Sequence, residues 1–383
     1  MRYPRAVRVA SLVFTVALVG CGERAAPESR AERSTSAPST LASVSPAVPS
    51  AADPADSRNP SREAPASERE EPSEPAEAAE PLRLTGNPSF PPGTFDHDAL
   101  LEALRGTATR QFKPTGTSAL VFRTRLRSEH SLAFKPRTRT HRDGWQREIA
   151  AYRIGRVIGL DNVAPATARN VPAWEIRDRI HPDFAGEETW RDLYATLVPE
   201  PTDQVPGAAI YWVPELTDLG LDRGRGLAEW RAWLAQEGPS CPEDRRALCR
   251  DLSNMLVFDY LVANWDRFSG GNVQGLASTE VGPRVIVRDH DVTLASSIPR
   301  ELHDRIRERL GWTERFSRGV IDAVRRLDRD AIEAALATEP AHATAPLLTP
   351  AAIDGVLERR ATLLSYVGAL VDRYGEDAVF AFE

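Results

Sequence analysis

Lysine is almost missing from this chain. Of its 48 lysines and arginines only Lys113 and Lys135 are lysines, and both lie inside the same tripeptide, Phe-Lys-Pro. A compact, titratable ammonium is thus used at two places where arginine would otherwise serve. Cysteine is scarce as well, with three in 383 residues, which excludes a small disulfide-built scaffold. A positive balance is also lacking. The net charge of -7 and pI near 5.7 exclude an electrostatic footprint for nucleic acid, so none is expected as a partner. Long apolar runs are missing too, since the run over residues 9–20 is too short to span a bilayer comfortably. The length allows one large domain or two modest ones.

What is present is strongly zoned. Residues 1–21 open with Arg2, Arg5 and Arg8, continue with the apolar run, and end in Leu18-Val19-Gly20-Cys21. This stretch resembles a bacterial lipoprotein signal peptide, which implies cleavage before Cys21 and lipidation of its thiol; an uncleaved signal anchor is the alternative. Gly22 follows the cysteine, and by resemblance to lipoprotein sorting in Gram-negative bacteria this implies the outer membrane. Residues 22–92 are mostly Ala, Pro, Ser and Glu, and part of them, 22–80, holds twelve acids against six arginines. Such a segment buries too little apolar surface to offset chain entropy, so it reads as a disordered tether.

The folded part is expected over residues 93–383. A short helix is predicted over His97 to Arg105. A small-residue loop, Gln111 to Ser118, then leads into an alternating strand, Ala119 to Leu126, and a return strand over Ser131 to Phe134 carries Lys135. Such a hairpin can set backbone amides and an ammonium around phosphates. Gln146 to Gly159 has helical periodicity, with Glu148 near its start, and Val163 to Val171 reads as a strand. Glu148 is either a surface acid favourable to the helix dipole or the ion-pair partner of Lys135. Gly207 to Leu216 reads as a buried strand that connects two lobes. Leu227 to Gln236, Arg300 to Leu310, Thr313 to Ala337 and Thr349 to Tyr374 read as helices. Cys241 and Cys249, eight apart in an exported chain, are either a disulfide or two thiols held apart by a helix. Without a neighbouring histidine their spacing excludes zinc.

The most informative stretch runs from Asp251 to Leu294. An apolar segment ends in Asn264-Trp265-Asp266-Arg267, a Gly-rich bend reaches Asn272, and the apolar Val285-Ile286-Val287 delivers Asp289, His290 and Asp291. Acids and an amide gathered this way suit phosphoryl transfer, in which one acid handles the nucleophile and others hold a divalent cation. The same residues also suit a helix-loop-strand unit whose acids cap turns.

Four segments decide between these readings. Ser131 to Pro136 (SLAFKP), Glu148 to Ala166 (EIAAYRIGRVIGLDNVAPA), Val257 to Arg267 (VFDYLVANWDR) and Val287-Arg288-Asp289 resemble, in order, the secretory-pathway kinases of the Golgi casein kinase and four-jointed type. The resemblance covers most of residues 108–295. It implies an α+β, bilobal, atypical protein-kinase-like fold. A small β-rich N-lobe would occupy about 108–210 and a mainly helical C-lobe about 217–383.

On those matching positions, the resemblance implies that Lys135 binds the α- and β-phosphates of ATP, that Glu148 is its helix partner, and that Lys113 opens the phosphate loop. Asp266 would be the catalytic acid-base, and Asp289 with Asn272 would hold Mg²⁺ or Mn²⁺. The implied activity is transfer of the ATP γ-phosphate to a hydroxyl of a protein or glycan acceptor in the cell envelope or outside, with membrane contact only through the lipid. A nucleotide-binding pseudokinase and a lipid or small-molecule kinase of the phosphoinositide-like type remain as alternatives. Three departures stand out: His290-Asp291 replaces Asn-Gly, Asn272 lies six rather than five residues after Asp266, and the loop after Lys113 holds only Gly116.

Overall fold

A computed structural model describes residues 96–116, 119–128 and 130–382. The proposed signal peptide with Cys21 and all of the tether lie outside the described residues. So do Thr117 and Ser118 at the tip of the phosphate loop.

The chain opens with α1 (His97–Gly106), whose helix start is capped by the Asp96 side chain accepting from Ala99 N. Then come β1 (Thr109–Thr115), β2 (Val121–Leu126), β3 (Ser131–Pro136), α2 (Gly144–Val157), β4 (Ala166–Pro172), α3 (Ala173–Asp178), α4 (Glu187–Thr196) and β5 (Gln204–Tyr211). The five strands form one antiparallel sheet in the order β1-β2-β3-β5-β4. Alternation explains the hairpin. Phe122, Thr124 and Leu126 are buried on β2, Leu132 and Phe134 on β3, and Phe122 sits opposite Phe134 in the register. Phe112 adds an edge-on contact to both rings.

Sequence patterning missed β1. The stretch expected as a loop from Gln111 to Ser118 is largely a strand, and the chain turns only around Gly116, whose φ is +92°. Two features hid it. Its composition is polar, and Pro114 is a residue that central strands avoid but an edge strand tolerates. β1 is an edge of this sheet.

α2 is buried on nearly every side. The sheet covers one side and the end of α9 another, and its charged residues are accepted because they are paired. Arg153 Nη2 donates to Glu339 Oε2 at 2.9 Å, and that buried carboxylate also accepts from Thr167 Oγ1 at 3.0 Å.

The remaining elements are β6 (Thr217–Asp218), α5 (Gly224–Leu234), α6 (Arg246–Val262), β7 (Gln274–Leu276), β8 (Arg284–Ile286), α7 (Arg300–Leu310), α8 (Arg318–Arg326), α9 (Arg329–Ala337), α10 (Pro350–Tyr374) and α11 (Glu376–Val379). A small sheet, β6-β7-β8, lies beside α6, which forms the centre of this mainly helical lobe. The single helix expected over Thr313 to Ala337 is two. Asp328 interrupts it because its carboxylate caps Ala331 N and starts a new helix. No helix of the described residues is long and apolar enough to cross a membrane.

Cys241 and Cys249 are joined by a disulfide, with Cα atoms 6.5 Å apart. It ties the segment before α6 to that helix's first turn.

Candidate active site

Three elements converge on one ammonium. β3 alternates so that Phe134 enters the core and Lys135 points from the other face. Lys135 Nζ donates to Glu148 Oε1 of α2 at 2.5 Å and to Asp289 Oδ1, and it lies 3.4 Å from Asp291 Oδ2. Burial alone would lower the lysine's pKa, but the carboxylates of Glu148, Asp289 and Asp291 outweigh it and raise it. Glu148 carries the cost of three acids around one cation. Burial first, then the charges of Asp289 and Asp291, push its carboxyl up to about 7 despite Lys135. For Asp289 the opposite sign holds. Burial would raise it, but Lys135, Arg288 and Arg267 together lower it to about 2.

The chain after β8 is built to deliver these acids. Val287 is held on both sides by a parallel bridge, its N–H donating to Asn162 O and its carbonyl accepting from Ala164 N. The backbone then turns at Asp289, whose φ is +68°, a left-handed conformation that aspartate visits more readily than most residues. Such outliers persist where the surroundings over-determine them. Here His290 N donates to Glu148 Oε1 at 2.9 Å, and Thr293 Oγ1 donates to His290 O at 2.7 Å. Gly144 at the start of α2 lets the turn approach, since a Cβ there would lie 3.1 Å from Asp291 Cβ.

The second half of the site is the loop after α6. Ala263 ends that helix in the left-handed conformation. Asn264 then accepts from Asp266 N through its Oδ1 at 3.1 Å and donates to Asp289 O at 3.5 Å, so one buried amide links both acid-bearing turns. Asp266 is half-buried, and Asn272 Nδ2 donates to its Oδ2 at 3.2 Å. Asn272 thus stands with Asp266, its side chain engaged there, rather than among the three carboxylates around Lys135.

Arg267, assigned no role by the sequence, is fully buried. Its Nε and Nη2 grip both oxygens of Asp259 at 2.9 Å each, and its Nη1 donates to Asn272 O at 3.1 Å and Arg288 O at 2.5 Å. One side chain therefore fixes α6, the loop and the strand that carries Asp289 relative to one another. The only hint in the sequence was an arginine directly after Asp266. Arg288 lies on the same floor, donating to Gln274 Oε1 at 2.7 Å and Gly271 O at 3.0 Å.

Lys113 is on exposed edge strand β1, opposite Arg123 and on the same face of the sheet as Lys135, instead of in a loop. His290 is buried against Phe258, its ring 5.4 Å away, and neither ring nitrogen has a partner among the described residues.

The donor set fits a hard divalent cation. Glu148, Asp289 and Asp291 each offer a carboxylate oxygen, and these oxygens lie within 4.8 Å of one another. Beside them stands the Lys135 ammonium, in contact with all three.

No family model and no curated protein matches the chain by sequence. Among solved structures it is similar to the Golgi casein kinase, with a TM-score of 0.56 and 16% identity over 73% of this chain and 77% of that one. The same kinase with Mn/ADP bound gives 0.55 and 15% over the same shares. The structure of hydra Fam20 with sugar gives 0.55 and 15% over 74% of this chain and 91% of that one. The chain has the bilobal α+β fold of those proteins.

Proposed function

We propose that this protein is an exported, lipid-anchored kinase that moves the γ-phosphate of ATP to a hydroxyl of a protein or glycan acceptor. The observation that carries the reading is Lys135, which touches Glu148 from one lobe and Asp289 from the other at the same time. Bound ATP would supply the phosphoryl group, and Mg²⁺ or Mn²⁺ would screen its charge. Lys135, oriented by Glu148, binds phosphate oxygens. Asp289, with Glu148 and Asp291, holds the cation. Asp266, fixed by Asn264 and Asn272, orients the acceptor hydroxyl and takes up its proton. Because such catalysis is mostly positioning and electrostatics, the buried clamps around these acids matter as much as the acids.

The fold neighbours support the reading. One is described with Mn/ADP and another with sugar. The lipid anchor at Cys21 and the outer-membrane location rest on the resemblance of the first 22 residues to a bacterial lipoprotein signal. The anchor is tested by labelling cells with a fatty-acid analogue, which wild-type protein incorporates and Cys21→Ala does not, and the location by separating inner from outer membranes, where the protein is expected in the outer fraction. The activity is tested by thermal shift with Mn²⁺-ATP and by label transfer from γ-labelled ATP to mixed envelope proteins and glycans. Wild type shows both, and Asp289→Asn loses nucleotide-dependent stabilisation.

A further inference from the structure

Next to the carboxylates a second cavity of about 530 Å³ opens between the start of α2 and the segment that leads into α7. Arg139, Arg142 and Arg147 line it on one side, and Trp265, Asp291 and Ser297 on the other. Its charges do not cancel. Asp291 is already drawn to Lys135, and the only other acid in the lining is the exposed Asp143. Among the described residues no carboxylate pairs with Arg142 or Arg147, and Arg139 donates its Nε–H to a neutral carbonyl, Ala195 O. α2 also begins here without a side-chain cap from Asp143. A cavity of guanidinium groups at an uncapped helix start suits a multiply charged oxyanion.

The segment facing these arginines offers a place to attach one. Ser296 and Ser297 are both exposed, but Ser296 shares a hydrogen bond with Thr349 Oγ1 at 2.8 Å, whereas Ser297 lines the cavity. We propose that Ser297 is a phosphorylation site whose phosphate is held by Arg142 and Arg147, with Arg139 beside them. The phosphate ties the segment that carries Asp291 to the helix that carries Glu148, and so sets the two sides of the carboxylate cluster. A phosphoserine adds close to two negative charges and three acceptor oxygens, which is what the lining lacks. The chemistry is ordinary phosphoryl transfer. Ser297 Oγ bonds to the γ-phosphorus of ATP, the bond to the β–γ bridging oxygen breaks, ADP leaves with that electron pair, and the hydroxyl proton passes to Asp266 of a second copy. Only this source of the phosphate rests on the kinase reading.

Two arms test it on the full chain. In the first, the protein is incubated with ATP and Mn²⁺ and its peptides are weighed. Phosphate appears on Ser297 in wild type and not in Asp266→Asn. Phosphate found on other residues but never on Ser297 overturns the proposal while the kinase reading stands. Phosphate on no residue removes a second copy of the chain as the source of the phosphate, and the second arm alone then decides the cavity. In that arm phosphoserine is introduced at position 297 during translation, which needs no activity of the chain. The Tm rises by about 2–4 °C over the unmodified protein, and protease cleavage within 289–302 slows several-fold. Both gains disappear in the double variant Arg142→Gln/Arg147→Gln. Equal Tm and cleavage with and without the phosphate, or gains that survive in the double variant, overturn the proposal.

Discussion

Around Lys135 one ammonium faces three carboxylates, whereas around Arg267 one guanidinium faces a single carboxylate and two backbone carbonyls. The two clusters differ in closure. Every group around Arg267 is matched, with both Asp259 oxygens taken and the remaining donor spent on the loop and the strand. The Lys135 cluster is in surplus by two negative charges, and burial first, with that surplus added to it, raises the carboxyl of Glu148. A matched buried pair makes structure, while a mismatched one stores unfavourable negative charge that a bound cation would relieve. Arg267 is therefore architecture, and the proposed chemistry is placed at Lys135.

That contrast can be broken most severely at its structural side. Arg267→Met leaves Asp259 buried without its partner and frees the loop from the strand. A loss of about 3–5 kcal/mol is expected, read as a large drop in the urea midpoint. At the other cluster the signs separate. Lys135→Met should cost several orders of magnitude in transfer rate while Tm moves by only a few degrees, since Asp289 and Asp291 remain partly exposed and the buried Glu148, its carboxyl raised to about 7, takes up a proton when its partner is lost. If Lys135→Met unfolds the protein and Arg267→Met does not, the comparison is reversed and the account is wrong.

Glu148→Gln sharpens the difference further. The folded state holds the Glu148 proton up to about pH 7, far above a free glutamate. Stability it contributes is thus complete below about pH 4.5 and is lost as pH rises towards 7. In metal-free buffer, wild-type Tm should fall across that window, and Glu148→Gln should flatten the fall and be more stable at pH 7.5, yet inactive. A Gln variant less stable than wild type at pH 7.5 contradicts the surplus-charge argument.

The smallest effect is expected at His290. Its two ring nitrogens are buried without partners, so an apolar ring of similar shape removes an unmet desolvation cost. His290→Phe should gain roughly 1 kcal/mol in chemical denaturation. A loss of stability would show that the imidazole makes a bond that matters.

The fold was legible in the sequence where local periodicity and tertiary role agree. The β2–β3 hairpin, α2, α6 and the strand before Asp289 bury the faces their patterns predict. It was illegible where tertiary context decides. β1 is polar and holds a proline, so only its place at the edge of the sheet makes it a strand. α3 and α4 fill a stretch, residues 173–196, that carried no clear pattern. In the site, Lys135, Glu148 and Asp289 could be singled out and the structure brings them together, because a rare lysine and paired acids leave a chemical trace. Asn264, Arg267 and Arg288 could not, because their work is done through backbone atoms far away in sequence. Asn272, which the resemblance places at the cation, donates to Asp266 Oδ2.

The most direct test of the central claim compares wild type with Asp266→Asn for binding of Mn²⁺-ATP and for transfer of its γ-phosphate. Asp266 is half-buried at the loop and lies outside the carboxylate cluster at Lys135. Nucleotide binding should therefore persist in the variant while transfer falls by roughly 10²–10⁴-fold. Equal transfer by both proteins, or tight binding by wild type with no transfer to any acceptor, would contradict it.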